Sequence, residues 1–411
     1  MARFTRALAG VIAVLALARC GACTSPVDDP TSKVPGQCQA EQPLLEPQKL
    51  DILFVIDNSG SMKEEQEGVA RELTAFVDEV KRGGGVAQDF HVGVITTSVY
   101  QHTLVNSVRG YREYPGQAGK LQPVPDASSD GGVLLGTGTE RMLSGTDPQL
   151  VEKFARLVQV GTTGSGQETP FEAARLALTA DHLIKMPIEE GGNGGFLRDR
   201  ARLLVVVVTD EDDCSETARP PVVTVGSDPR RDYCTEQTNS LTPLLEYHQI
   251  FSTLKDGTGA TREIVWATIG PVGVSSKQVQ SVVVDNHVAN VDCPTSYQPG
   301  FRQRQLAEMF NDSLANLDSI CKPSYRETLV AIAGLANISQ TLEVRNVPAP
   351  ELLQLEIIRF DDSSELCTLS NGGLTAYDEP TADQPGRIHF GNQCRRRIDD
   401  KEVRIKLICA G

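Results

Sequence analysis

Asp57, Ser59 and Ser61 stand at alternate positions directly after the apolar run Ile52-Leu-Phe-Val-Ile56, and a helical pattern opens just beyond Met62. A carboxylate and two hydroxyls spaced in this way can converge on one point when the chain turns at the end of a strand, and Gly60 lets the backbone bend between the serines. Open parallel sheets bind ligands outside the carboxyl ends of their strands, where this turn would lie. Hard oxygen donors of low total charge suit Mg2+, which demands near-octahedral oxygen coordination and keeps several waters, and Mn2+ or Ca2+ accepts the same donors. Taken alone, the D-x-S-x-S pattern is weak: a chance match in a chain this long is on the order of one in ten at average composition. Its weight comes from the elements that position it.

Those elements alternate. The segments 50–56, 90–96, 202–209 and 263–269 are short, β-branched and almost wholly apolar, as strands buried on both faces of a parallel sheet are. Between them lie helical patterns over 64–81, 149–160, 171–184, 243–254 and 325–336, the first carrying Val69, Leu73, Phe76, Val77 and Val80 on one stripe. Gly83-Gly84-Gly85 stops the first, and Asp147 stands ready to cap the second. Strands alternating with helices predict an α/β domain over residues 50–346 with a doubly wound, mostly parallel sheet. Residues 99–144, rich in glycine and proline, read as an insertion carrying a small hairpin, serving either as a specificity loop at a binding rim or as a disordered surface excursion. After Val347 the pattern shifts to alternating stretches over 352–359, 386–390 and 402–408 with Cys367, Cys394 and Cys409, which predicts a small disulfide-containing β module at 347–411.

In this context the motif resembles the metal-ion-dependent adhesion site of von Willebrand factor A domains, a resemblance covering roughly residues 51–336. It implies a Rossmann-like fold in which a threonine and a second aspartate from two later loops complete the site. Thr169, in Gly166-Gln-Glu-Thr169-Pro170 at the start of a helical pattern, matches the threonine, and Asp210, closing Leu203-Leu-Val-Val-Val-Val-Thr-Asp210, matches the aspartate. The resemblance also implies a bound divalent cation with one position left open for an Asp or Glu carboxylate of a protein partner, loops at the rim supplying specificity. The family has glycine after the second aspartate, whereas this chain continues Glu211-Asp212-Asp213. Asp210 is preferred because it ends the apolar run; Asp212 is an additional candidate ligand, for example for a second ion such as Ca2+, against the alternative of a solvated acidic turn. Cys214 and Cys234 flank the proline-rich loop that follows and are expected to pair, holding the rim, with about 3 kcal/mol from loop closure. Pairing of Cys293 with Cys321, and among Cys38, Cys367, Cys394 and Cys409, completes the set.

Enzyme readings rank lower, and no catalytic residue is assigned. A strand ending in aspartate also suits a haloacid-dehalogenase-type phosphatase, but the second acid that chemistry needs is replaced by Ser59. The six histidines are scattered, and H-E-x-x-H, G-x-x-x-x-G-K and G-x-S-x-G are all absent. A formal charge of −15, with Arg395-Arg396-Arg397 as the densest basic run and read as a solvated face, argues against a nucleic-acid partner. The alternatives to a binding module are a structural envelope protein and a non-catalytic subunit that docks to an enzyme.

The first 23 residues have a basic start, an apolar stretch from Ala7 to Ala18, and small residues before cysteine, as an export signal does. The stretch is short for a bilayer span. Cys23 (or Cys20) is the candidate lipidation site, with cleavage after Ala18 and no lipid as the competing processing. Ten cysteines less Cys20 and Cys23 leave an even eight, consistent with disulfides formed outside the reducing cytoplasm. Residues 24–49, polar and proline-rich, read as a flexible tether. The expected location is the cell envelope, membrane-anchored in the periplasm or at the cell surface, an arrangement that resembles uncharacterised bacterial envelope lipoproteins.

Overall fold

The computed structural model describes residues 32–34, 37–39 and 49–408, apart from 83–88, 126–138, 338, 345–346, 348–349, 360–362, 382–385 and 397–399. Cys20, Cys23 and the export signal lie outside the described residues.

The central sheet has six strands, β1 (Lys49–Ile56), β2 (Asp89–Thr96), β3 (Leu143–Ser144), β4 (Ala201–Val208), β5 (Ile264–Gly270) and β6 (Leu317–Ser319), in the spatial order β6-β5-β4-β1-β2-β3. All neighbours are parallel except β3, which runs antiparallel to β2 at the edge. An unbroken apolar strand needs cover on both faces, and β1 has it: Leu50, Ile52, Phe54 and Ile56 enter one core, Leu53 and Val55 the other. On the first face pack α1 (Lys63–Arg82) and α2 (Leu150–Leu157), with Phe54 edge-on to Phe76 at 5.4 Å and to Phe154 at 5.1 Å. The second face is covered by α3 (Pro170–Thr179), α4 (Leu244–Ser252) and α5 (Phe301–Phe310), around Trp266. A last helix, α6 (Arg326–Asn337), returns to the first face through Leu329, Ile332 and Ala333. The chain is thus α/β with helices on both faces of a mostly parallel sheet.

From β1 the chain builds outward through β2 and β3, then returns to the other side of β1 with β4. The sheet therefore changes winding direction between β1 and β4, and at such a switch point the loops leaving the two strands diverge and open a crevice. Ile56 is paired with Val208, so the segments carrying Asp57 and Asp210 leave the sheet side by side.

Several elements differ from expectation. The helix expected over 171–184 divides where Ala180 takes an extended ψ of 111°, and a short helix, Asp181–Ile184, follows. The insertion at 99–144 contains a hairpin of Tyr100–Val105 and Val108–Glu113, and its last residues supply β3. Helix α5 was not anticipated because its apolar stripe is thin, with only Leu306 and Ala307 as buried hydrophobic residues.

The C-terminal β module starts earlier than residue 347. Thr341–Val344 pairs with Gly386–Phe390, which pairs with Leu374–Asp378, and this three-stranded sheet shares one core with Leu353, Leu355, Ile357 and Ile405 of a second sheet. That second sheet also corrects the tether. Gln37–Gln39, within the segment expected to be flexible, pairs antiparallel with Asp400–Ile408, and Ser32–Val34 adds beside it. A strand of only three residues leaves no periodicity to read, and its pairing partner lies at the far end of the chain. Arg395, expected on a solvated face, donates instead to the Phe310 carbonyl at 3.0 Å and joins the module to α5. Disulfides join Cys214 to Cys234, Cys293 to Cys321 and Cys367 to Cys394, as in a chain folded in an oxidising compartment. Among the described residues no helix is long and apolar enough to cross a membrane.

Candidate metal centre

At the end of β1 the Asp57 amide donates to the Val208 carbonyl at 2.9 Å, which extends the ladder by one residue and fixes where the carboxylate begins. The Asp57 side chain is fully buried. Its Oδ1 accepts from the Ser59 amide at 2.7 Å and its Oδ2 from the Thr209 hydroxyl at 2.6 Å. The Ser59 and Ser61 hydroxyls lie 3.1 Å apart, and Ser61 donates to Asp210 Oδ1 at 3.2 Å. Four of the five residues assigned from the sequence, Asp57, Ser59, Ser61 and Asp210, are therefore joined in one hydrogen-bonded group at the switch point.

The turn between them is held from outside. Gln66 Nε2 bridges the Asp57 and Gly161 carbonyls at 2.8 and 2.9 Å, and Asn58 exchanges hydrogen bonds with Ser98, Gln117 and the Gly164 amide. At Gly164 a Cβ would lie 2.2 Å from Asn58 Oδ1, so only glycine lets this loop approach.

Thr169 is placed differently. It is buried at the N-cap of α3, and its hydroxyl donates to the Thr97 carbonyl at 2.7 Å; no hydrogen bond joins it directly to the other four. The Thr97 hydroxyl donates in turn to Oε2 of Glu168, a fully buried carboxylate that the sequence reading did not single out. Glu168 lies within hydrogen-bonding reach of Asp57.

The acidic run after Asp210 is not a solvated turn, since Glu211, Asp212 and Asp213 are all buried. Asp212, taken from the sequence as an additional ligand, instead accepts the Arg302 and Gln303 amides at 2.9 and 3.2 Å and caps the N-terminus of α5 from 90 residues away. Asp213 is paired with Arg302 Nε at 2.9 Å. Glu211 has neither role and faces a cleft of about 500 Å3, whose walls include Ser59, Ser61, Gly166, Arg231, Tyr233 and Tyr297.

Burial, first of all, pushes the Asp57, Glu168, Asp210 and Glu211 carboxyls above the usual carboxylate range. The Asp57 charge then raises each of the other three further. Among the described residues no lysine or arginine forms an ion pair with any of them; the nearby arginines, Arg302 and Arg231, are engaged by Asp213 and Glu236. Buried negative charge of this density requires either protons or a cation. Glu168 Oε1 is buried beside Asp57 and accepts no donor, so it calls for a proton shared with Asp57 or for a cation. Among the described residues no three His, Cys, Asp or Glu side chains form a ready-made ligand group, so a hard cation here would rest on two carboxylates, hydroxyls and water, a set that suits Mg2+ or Mn2+.

The rim is built by the Cys214–Cys234 loop. Val225 within it donates to the His102 carbonyl at 2.8 Å and accepts from Leu104 at 2.9 Å, while Pro229 accepts from Val288 at 2.9 Å. The loop thereby ties the 100–113 hairpin to the hairpin Ser281–Val284/His287–Asn290. Replacing both Cys214 and Cys234 with serine should lower unfolding stability by about 3 kcal/mol, given a separation of 20 residues. A loss below about 1 kcal/mol in urea titration would mean that the backbone contacts alone hold the loop.

No family model matches the sequence, and no curated protein matches it. Solved structures similar to it include proximal thread matrix protein 1 of the mussel byssus (14% identity, TM-score 0.34), spanning 73% of this chain and 50% of that one. Others are manganese-loaded TRAP of Plasmodium vivax (11%, TM-score 0.31; 72% and 76%) and the pilus adhesin SpaC of Lactobacillus rhamnosus GG (10%, TM-score 0.29; 90% and 39%). The chain thus spans about half the length of the mussel protein and about two fifths of the adhesin.

Proposed function

We propose that this chain is a von Willebrand factor A-type binding module of the cell envelope that captures a protein partner through a divalent cation. The observation that carries the reading is the joined pair of buried aspartates, Asp57 and Asp210, linked through Ser59 and Ser61 at the switch point of the sheet, with no ion pair to a basic side chain among the described residues. Asp57, Ser59, Ser61 and Asp210 would hold Mg2+ or Mn2+, and Thr169 is the fifth ligand that the resemblance implies. When bound, the cation supplies an electrophilic point for an Asp or Glu carboxylate of the partner. The rest of the work falls to the chain: Thr209 and the Ser59 amide orient Asp57, and the disulfide loop shapes the cleft that the partner enters. Lipidation at Cys23 (or Cys20) would tether the module to a membrane.

Protein retained from envelope extracts by the immobilised full chain in Mg2+ or Mn2+ should be released by chelator and recaptured when cation is restored. Retention unchanged in chelator would overturn the reading and leave a structural role for the domain.

A further inference from the structure

One wall of the cleft beside Ser59 and Ser61 carries a tyrosine whose position is tied to the site itself. The Tyr297 and Gln298 amides both donate to the Asp210 carbonyl, at 2.8 and 3.2 Å, so the backbone that carries this ring is fixed to the backbone that carries a candidate ligand. The Tyr297 ring lies flat on that of His287, with centroids 5.0 Å apart and 15° between the planes, and His287 Nε2 is hydrogen-bonded to the Ser296 carbonyl at 3.1 Å. The Cys293–Cys321 disulfide pins the start of the same loop. A ring held in this way has little freedom left to lose when something packs against it.

Tyr297 is nevertheless 44% exposed, and among the described residues that line the cleft it is the one large hydrophobic side chain left so. The other aromatic wall is already covered: the Arg231 guanidinium stands over the Tyr233 ring at 4.9 Å and is engaged by Glu236. Tyr297 has His287 against one face and keeps the rest of its ring open. A single exposed ring on a convex surface needs no partner. A held ring in a cleft of about 500 Å3, joined to Asp210, has the properties of an interface anchor: large apolar area, small entropy cost and walls that exclude water once the cleft is filled.

We propose that Tyr297 reads the residue beside the partner's coordinating acid, and that the segment the cleft takes is an acidic residue flanked by an aromatic one. The inference rests on the cation-dependent reading above: the acid goes to the cation, and its neighbour lays a ring against the open side of Tyr297. An aromatic neighbour gains more than an aliphatic one, because two rings add an offset-stacked or edge-on attraction to the area they bury.

The experiment is calorimetric titration of the full chain, Tyr297→Ala and Tyr297→Phe, in Mn2+ and in chelator, with blocked pentapeptides. The probes are Gly-Trp-Asp-Trp-Gly, Gly-Ala-Asp-Ala-Gly and Gly-Trp-Asn-Trp-Gly, the tryptophans standing on both sides so that chain direction does not matter. In Mn2+ the parent should bind the tryptophan-aspartate peptide at least about fivefold more tightly than the alanine-aspartate one. That ratio should fall below about twofold in Tyr297→Ala and persist in Tyr297→Phe, which keeps the ring, while all three chains bind Mn2+ alone equally well. Equal affinity of the parent for the two aspartate peptides would overturn the proposal, as would a preference that survives in Tyr297→Ala. Binding of the asparagine peptide as tight as that of its aspartate counterpart, or binding unchanged in chelator, would instead overturn the cation-dependent reading and leave the ring contact standing by itself. A parent chain that binds none of the peptides at millimolar concentration would overturn both.

Discussion

An Asp57→Ala chain should bind neither Mg2+ nor Mn2+ and should capture no partner, yet remain folded and, in chelator, unfold close to the temperature of the parent. The two halves of this expectation have one cause. After burial itself, the Asp57 charge is what raises Glu168, Asp210 and Glu211 alike, so its removal deletes the centre of the proposed donor set and relieves like-charge crowding in a buried site. Against that relief stands the loss of the hydrogen bonds from Ser59 and Thr209, each worth about 1 kcal/mol. The parent should gain stability on adding cation, by about 2.7 kcal/mol at a hundredfold excess over Kd, and the variant should gain none. Scanning calorimetry with and without cation reads both quantities. Equal cation-induced stabilisation of parent and variant would remove Asp57 from the site. Asp57→Asn, which keeps the shape and one acceptor, guards against an alanine variant that fails for lack of packing.

Replacing Arg302 with alanine should cost about 3–5 kcal/mol of unfolding stability, a larger effect on the fold than the loss of any ligand. The Arg302 side chain is 7% exposed and that of Asp213 is not exposed at all. The guanidinium reaches Asp213 at 2.9 Å and the Thr242 carbonyl at 2.8 Å, while Asp213 also accepts from the Phe171 amide at the start of α3. Without Arg302 the Asp213 charge stays buried with no counter-ion, and burial alone already raises its carboxyl pKa. Urea unfolding of Arg302→Ala, Asp213→Ala and the double variant forms a cycle in which the double variant should recover part of the single loss. A cost below about 1 kcal/mol for Arg302→Ala would show that water replaces the arginine and that the pair contributes little.

The two predictions separate residues that look alike in the sequence. Glu211, Asp212 and Asp213 are consecutive acids, yet one lines the cleft, one caps a helix and one neutralises an arginine. Nothing local distinguishes them, because α5 and Arg302 arrive from about 90 residues downstream. Asp57 and Asp210 were legible since each ends a strand whose apolar run states its own burial. Glu168 was not: an acid just before a helix ordinarily reads as favourable charge in a first turn, and only its contact with the Thr97 hydroxyl and its burial show that it points inward. The main sheet could be read because parallel strands covered on both faces are apolar throughout. The C-terminal module blurred where Thr341–Val344 and Gln37–Gln39 joined sheets assembled mostly from residues far along the chain.

Were Cys23 lipidated as proposed, that last pairing would shorten the reach of the protein from a membrane. A flexible segment from residue 24 to residue 49 could span at most about 90 Å at full extension. With the first strand beginning at Ser32, an anchor at Cys23 leaves residues 24–31 as the lead, at most about 28 Å long. The β module would then ride close to the bilayer, and the sheet that carries Asp57 and Asp210 would meet partners within a narrow layer instead of sweeping a wide volume.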